Sequence, residues 1–520
     1  MHGEQGTERE GSLVFVRGFD EVSISPKETI LPGAAWPTDC PPEGRIIPSV
    51  HCLILRVKKR NQEPTVFVMR HMRPFLLLFF VVPAIAPAFG QSKLAIENVT
   101  LIDGTDRAPQ RNVTVVVEGD KVSEIITTHI RAKLRDAKII EGKNKFLIPG
   151  LWNNDLHAVN YDKAKAALRS LLSYGITSVR DMGAPLDDVI RLRADTASRF
   201  LRGPTIYAAG PLLEGPVPVQ MPLIVDLFNE RQAREEVRDL KRHDVDYVEV
   251  DTTLTPELYW VISDEVQRES LRLVGHIPPK IRADEVIKAH QENVEHLGGR
   301  FLNILVACSS EEQEFNRVLA ATFDDLLQAI KEKRPVKEPQ FTAAFDKKLL
   351  QTFDEQKAQQ LFRLYAQNRV WQTPTLFVLR TLWDSNRDNL KLNEQDMDYG
   401  KKIFAKDMDI VLQMKRAGVP ILARTDGQYS QGGDALHSEL SLLVQAGLTP
   451  LEALQSATSD SAEFMGVSRT SGTIEPGKTA DMVLLNANPL DDVANTRQIG
   501  AVVLRGKFFT KEELTAIPSR

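Results

Sequence analysis

Cysteine is scarce in this chain: Cys40, Cys52 and Cys308 are the only three in 520 residues. They have no metal-ligand spacing and cannot build a disulfide framework, so a cysteine-ligated zinc module and a disulfide scaffold are both excluded. An excess of one charge is also missing, since 65 Lys and Arg stand against 70 Asp and Glu, a formal net charge of -5. No basic stripe interleaved with aromatics offsets that balance, which argues against a nucleic-acid partner. Internal repeats and low-complexity tracts are absent too. What remains is an ordinary globular composition, 42% hydrophobic and 26% charged, over a length sufficient for more than one domain.

The long apolar run is Phe75–Phe89, within "MRHMRPFLLLFFVVPAIAPAFGQS". Arg70 and Arg73 precede it, and the small residues Ala88 and Gly90 offer a cleavage point before Gln91. That three-part pattern reads as a secretory signal peptide over residues 72–90. The run is short for a membrane span, and Pro83 and Pro87 disfavour an unbroken helix. A working signal must lie at the N-terminus, so Met69 or Met72 is the expected start, and residues 1–71 form an unexplained extension. The expected product is exported, periplasmic or secreted, with no stable membrane span after cleavage.

Downstream, "LAIENVTLIDGT", "NVTVVVEGDKVSEI" and "AKIIEGKNKFLIPG" alternate Val and Ile with Gly-Asp and Gly-Lys turns, as hairpins do. The same texture returns in "SGTIEPGKTADMVLLNANP" and "IGAVVLRGKFF". A small β-sandwich domain assembled from residues 91–148 and 467–520 is therefore expected. Between them, over residues 149–466, apolar runs with polar ends alternate with amphipathic helices such as "ADEVIKAHQ" and "EQKAQQLFRLYAQN". Repeated β-α units imply a parallel sheet. Their number favours an α/β fold of the (β/α)8 TIM-barrel kind, with chemistry at the C-terminal strand ends. The charged stretch from Leu302 to Gly400 reads as helical excursions over one side of the barrel.

The strand ends carry Asp155 and His157 in "IPGLWNNDLHAV", His276 in "LRLVGHIP", His296 in "ENVEHLGG" and Asp426 in "VPILARTDG". Asp155 and His157, two apart on a strand, point to the same side. In a closed barrel the last strand lies beside the first, which brings Asp426 to them. Imidazoles and carboxylates converging on one pocket mouth form a metal-site constellation.

These motifs resemble the metal-dependent amidohydrolase superfamily, in the branch of imidazolonepropionases and Xaa-Pro or Xaa-Arg dipeptidases. "IPGLWNNDLHAV" is similar to a PGLWDxHxH first strand, and "GITSVRDMG" to a GxTTVRDxG second strand. "VGHIP", "VEHLGG" and "ARTDG" are similar to the later histidine strands and the terminal GTD strand. The resemblance extends through "HSELSLLVQAGLTPLEALQSATSDSAEFMGV" and "GTIEPGKTADMVLLNANPL". It implies a water activated by one or two divalent metal ions, Zn2+ by family habit, attacking the carbonyl of a small amide, dipeptide or cyclic amide. It further implies His157, His276 and His296 as ligands, and Asp426 as ligand and general base.

Two ligand positions and one neighbour depart from the family pattern. Asp155 stands where a histidine is usual, and Glu249 aligns with a lysine that is carboxylated to bridge two metals. Both carboxylates remain plausible ligands, and Asp155 hardens the site toward Mn2+, Fe2+ or Mg2+. Arg424 replaces the usual Gly, where it would pair with surplus carboxylates or occupy substrate space. His437 in "DALHSEL" is a candidate substrate contact, with helix packing as its alternative, and Arg180 is a second candidate, with an ion pair to Asp181 as the structural alternative. Three functions stay open: a C–N hydrolase, a catalytically impaired small-molecule binding protein, and a lactonase or esterase. Homo-oligomerisation is left undecided.

Overall fold

A computed structural model describes residues 93–516 except 128–133, 135, 216–220, 302, 333, 335–342 and 386–392. The leader and extension expected over residues 1–90 lie outside the described residues.

The N-terminal strands are β1 (Lys93–Leu101), β2 (Gln110–Glu118), β3 (Lys121–Ile126), β4 (Ala137–Glu141) and β5 (Phe146–Pro149). Those of the parallel region are β6 (Leu151–His157), β7 (Ile176–Asp181), β8 (Thr205–Ala208), β9 (Leu212–Glu214), β10 (Ile224–Asp226), β11 (Val248–Val250), β12 (Leu273–Gly275), β13 (Gln291–Glu295), β14 (Trp371–Thr373) and β15 (Gly427–Gln428). Strands β16 (Met482–Leu485), β17 (Ile499–Leu504) and β18 (Lys507–Thr510) return to the first group.

The first and last groups join in one eight-stranded sheet, ordered β18-β17-β16-β5-β1-β2-β3, with β4 also on β1. The junction is β5 against β16, antiparallel from Phe146↔Leu485 to Pro149↔Met482. Hydrogen bonding runs through one sheet because β1 pairs with β2 along one edge and with β4, then β5, along the other. Alternating Val, Ile and Leu from both chain ends, among them Ile96, Val115, Val117, Leu484 and Val503, enclose a separate apolar core.

The middle region forms two parallel sheets, β15-β6-β7-β8 and β10-β9-β11-β12-β13-β14. Hydrogen bonds outside the ladders link them on both sides. Asp246 N donates to Ala208 O beyond β8. On the other side, Ile421 bridges Gln372 of β14, and Asn154 N of β6 donates to Ala423 O. "VPILARTDG" is therefore not a regular strand over its length, but its backbone occupies a strand's position between β14 and β6. Most of these strands are buried along nearly their whole length, as a sheet covered by helices requires.

The excursion is helical as expected, with helices at Glu312–Glu332, Ala343–Gln351, Glu355–Gln367 and Glu394–Arg416. Asp354 caps the third by accepting from Gln356 N and Lys357 N. The helix expected at "ADEVIKAHQ" reduces to a 3-10 turn at Glu285–Ile287, and the chain leaves it through His290 at a φ of 52°. Among the described residues no helix is long and apolar enough to cross a membrane.

Candidate metal centre

The first strand is held by two asparagines that precede the acid. Asn153 Nδ2 donates to Thr425 Oγ1 at 2.8 Å, and Asn154 Nδ2 donates to Ala423 O at 2.7 Å and Ser461 Oγ at 2.9 Å. Strand β15 then pairs Gly427 with Leu156 and Gln428 with His157. These contacts fix Asp426 beside His157, whose Nε2 lies 3.1 Å from Asp426 Oδ1 and 3.4 Å from Asp155 Oδ1. The other ring nitrogen, Nδ1, lies 3.3 Å from Gly183 O. A carbonyl at that position takes the Nδ1 proton and turns Nε2 toward the carboxylates.

On the facing side, the His276 and His296 rings stack with centroids 5.0 Å apart. His276 Nδ1 faces Asp251 Oδ1 at 3.2 Å, and His296 Nε2 is 3.4 Å from Asp426 Oδ2. His296 and Asp426 both have left-handed backbones, φ 50° and 49°. For a non-glycine residue that conformation costs about 1–2 kcal/mol, and it recurs where function dictates side-chain direction.

Two donor sets result: Asp155, His157 and Asp426, and His276, Glu295 and His296. Glu295 was not among the residues singled out from sequence. Its signal is weak: the strand also carries Gln291, Glu292 and Asn293, so nothing in the pattern sets Glu295 apart from its polar neighbours. Glu249 is also buried, but it falls in neither set.

Arg424 lies between the two sets with its side chain 1% exposed. Its Nη2 pairs with Asp155 Oδ2 and donates to His296 Nε2 at 2.7 Å. Its Nη1 pairs with Glu295 Oε2 at 2.9 Å. Of the two roles expected for this residue, the structure places it with the carboxylates.

Burial raises the Asp155 carboxyl to about 7, against the pull of Arg424 and His157. Burial opposes protonation of His157, yet the neighbouring Asp155 and Asp426 outweigh it and lift the imidazole to about 9. Glu249 is pushed well above the carboxylate range by burial, with Glu295 and Asp155 adding to it. Burial works the same way on Asp426, but His296, His157 and Arg424 around it hold its carboxyl well below that range. His296 is held well below the usual imidazole range by burial and the Arg424 cation.

The remaining two candidates are not brought to this cluster. His437 is buried, its Nδ1 2.8 Å from Thr496 Oγ1 and its Nε2 3.1 Å from Tyr174 O. Both nitrogens are therefore committed to packing, the alternative weighed for it. Arg180 makes no ion pair with Asp181. Its guanidinium lies between the rings of Tyr247 and Phe464, 4.9 and 4.6 Å from their centroids, and donates to Asn293 Oδ1 at 3.2 Å. Asp181 instead accepts from Ala158 N at 3.0 Å, which supports the end of the first strand.

Residues 340–509 match the amidohydrolase family. No curated protein matches the chain. Among solved structures, an Xaa-Pro dipeptidase with bound methionine aligns at 18% identity and a TM-score of 0.59, covering 81% of this chain and 100% of that one. The A. niger ochratoxinase aligns at 18% identity and a TM-score of 0.60, covering 81% and 96%. A bottromycin amidohydrolase aligns at 20% identity and a TM-score of 0.57, covering 81% and 88%. The shared fold is TIM-barrel-like.

Proposed function

We propose, from the resemblance to the metal-dependent amidohydrolase superfamily that the family match upholds, that this chain is a metal-dependent hydrolase of C–N bonds in small amides, dipeptides or cyclic amides. In this reading the two parallel sheets are arcs of one (β/α)8 barrel over residues 149–466, with β10 outside the ring, β8 and β9 as successive parts of one barrel strand, and the segment through Ile421 and β15 as another. The eight-stranded sheet is a flanking β domain of sandwich type, and the apolar run before Gln91 directs export to a periplasm or the exterior.

The observation that carries the reading is the gathering of donor atoms around His157 Nε2: Asp426 Oδ1 lies 3.1 Å and Asp155 Oδ1 3.4 Å from it, a set of imidazole and carboxylate donors that would hold one divalent ion. Asp155, His157 and Asp426 would hold one divalent ion, and His276, Glu295 and His296 are the second donor set. Zn2+ suits the imidazoles, and the added carboxylates admit Mn2+ or Fe2+. A bound divalent ion would supply Lewis acidity and a water of lowered pKa.

The protein's own groups account for the remaining requirements. Asp426, kept ionised by its neighbours, accepts a proton from the attacking water and returns it to the leaving amine. Gly183 O holds the His157 ring in one orientation. Asp155, Glu295 and Arg424 are buried beside the reacting centre, so their charges act in a low dielectric.

The test is hydrolysis of Xaa-Pro and other dipeptides, N-acyl amino acids and small cyclic amides by protein loaded with Zn2+ or Mn2+. Turnover should vanish on chelation and return with metal, and Asp426→Asn should lower kcat about 10²–10⁴-fold. A second reading, a binding protein without turnover, is favoured by the Arg424–His296 contact. Metal-loaded protein that binds these compounds and cleaves none of them would establish it.

A further inference from the structure

We infer that the pocket takes one divalent cation, at Asp155, His157 and Asp426, and that the Arg424 guanidinium stands where a second would bind. The inference rests on the proposed reading of this pocket as a metal site and fixes its stoichiometry.

The two donor sets are not equally available. In the first, Asp155 gives Oδ2 to Arg424 and keeps Oδ1 facing His157. His157 Nε2 lies 3.1 Å from Asp426 Oδ1, and Asp426 Oδ1 is 3.8 Å from the nearest guanidinium nitrogen. In the second set, Arg424 already holds His296 Nε2 at 2.7 Å and Glu295 Oε2 at 2.9 Å. An imidazole nitrogen has one lone pair. A donor hydrogen directed at it excludes a metal bond of about 2.0 Å from the same nitrogen.

Nor is Arg424 free to swing aside. It is buried, and its two terminal nitrogens are tied to the ends of β6 and β13. Unlike a lysine ammonium, a guanidinium stays charged at any working pH, so it cannot yield its place by losing a proton.

Metal content of the full chain tests this directly. Protein stripped and reloaded with Mn2+ or Zn2+ should hold one ion per chain by mass spectrometry, and bound Mn2+ should give the EPR spectrum of an isolated ion. His157→Ala should lose it, His276→Ala should keep it, and Arg424→Gly should take two. Two ions or none in the unaltered chain would overturn the inference. So would loss of the ion in His276→Ala but not in His157→Ala, or a folded Arg424→Gly protein that still takes one. If Arg424→Gly does not fold, the count in the unaltered chain decides. Hydrolysis is scored separately: one ion without turnover sinks only the hydrolase reading, and two ions with turnover sinks only this one.

Discussion

Arg424 and Asp155 form a fully buried ion pair that ties the segment after Ile421 to the end of β6. Asp155 stands at the usual histidine position and Arg424 at the usual glycine position of the family motifs they resemble, and each supplies the charge the other needs. Removing one partner of a buried pair without replacement typically costs about 3–5 kcal/mol. Arg424→Met, which strands both Asp155 and Glu295, should destabilise the protein by that order in urea unfolding, and Asp155→Asn, which leaves Arg424 paired with Glu295, by less. The double variant should lose clearly less than the sum of the two. Additive losses would mean that the pair is not coupled.

Metal affinity should rise with pH up to about 9. In the metal-free protein His157 titrates at about 9, because the adjacent carboxylates outweigh the effect of burial. A cation must displace that proton, so binding near neutral pH releases it to buffer. Calorimetry in two buffers of different ionisation enthalpy measures the release. The stability of the metal-free protein should move the other way. A folded-state pKa raised above the unfolded value gives stabilisation that is complete below about 6.5. That stabilisation is lost as pH rises through about 9.

Much of this centre can be read from sequence because strand periodicity determines direction. Asp155 and His157, two apart on one strand, do face the same way, with 3.4 Å between their nearest polar atoms. Glu295 escaped for the same reason. Adjacent strand residues point to opposite sides, so a glutamate next to His296 looks excluded from its site. The left-handed backbone at His296 breaks that alternation and lets both join one donor set. His437 sits on a helix, where sequence alone does not tell which neighbours its ring will meet. The stretch "ADEVIKAHQ" forms only a 3-10 turn, and Asp284 makes no capping hydrogen bond there.

The excursion should be more stable at acidic than at alkaline pH. Asp407, buried on the helix Glu394–Arg416, is raised to about 8 by burial, with Asp346 adding to it. Asp346 itself is raised to about 6 by burial. A carboxyl raised above its unfolded value of about 3.9 stays protonated in the fold while the unfolded chain ionises. Stability should therefore fall as pH climbs from about 4 toward 8. Asp407→Asn should remove most of that slope and stabilise the protein at pH 8 by a few kcal/mol, roughly. Urea midpoints across this range are the measurement, and an unchanged slope in the variant would reject the assignment.

Gly183 should prove as important to the centre as a ligand, although it offers no side chain. Its φ is 152°, a conformation that side-chain-bearing residues rarely adopt. A Cβ there would lie 2.6 Å from Leu212 Cδ1 and 3.0 Å from His157 Nδ1. Gly183→Ala must therefore shift either the wall at Leu212 or the His157 ring, and a shifted ring loses its carbonyl partner at 3.3 Å. Loss of such an orienting contact typically weakens metal binding about 10–100-fold. The variant should fold with a lowered melting temperature, bind Mn2+ more weakly in that range, and show a His157 ring resonance whose titration has moved. Unchanged affinity would show that Leu212 gives way and that the ring does not depend on this carbonyl.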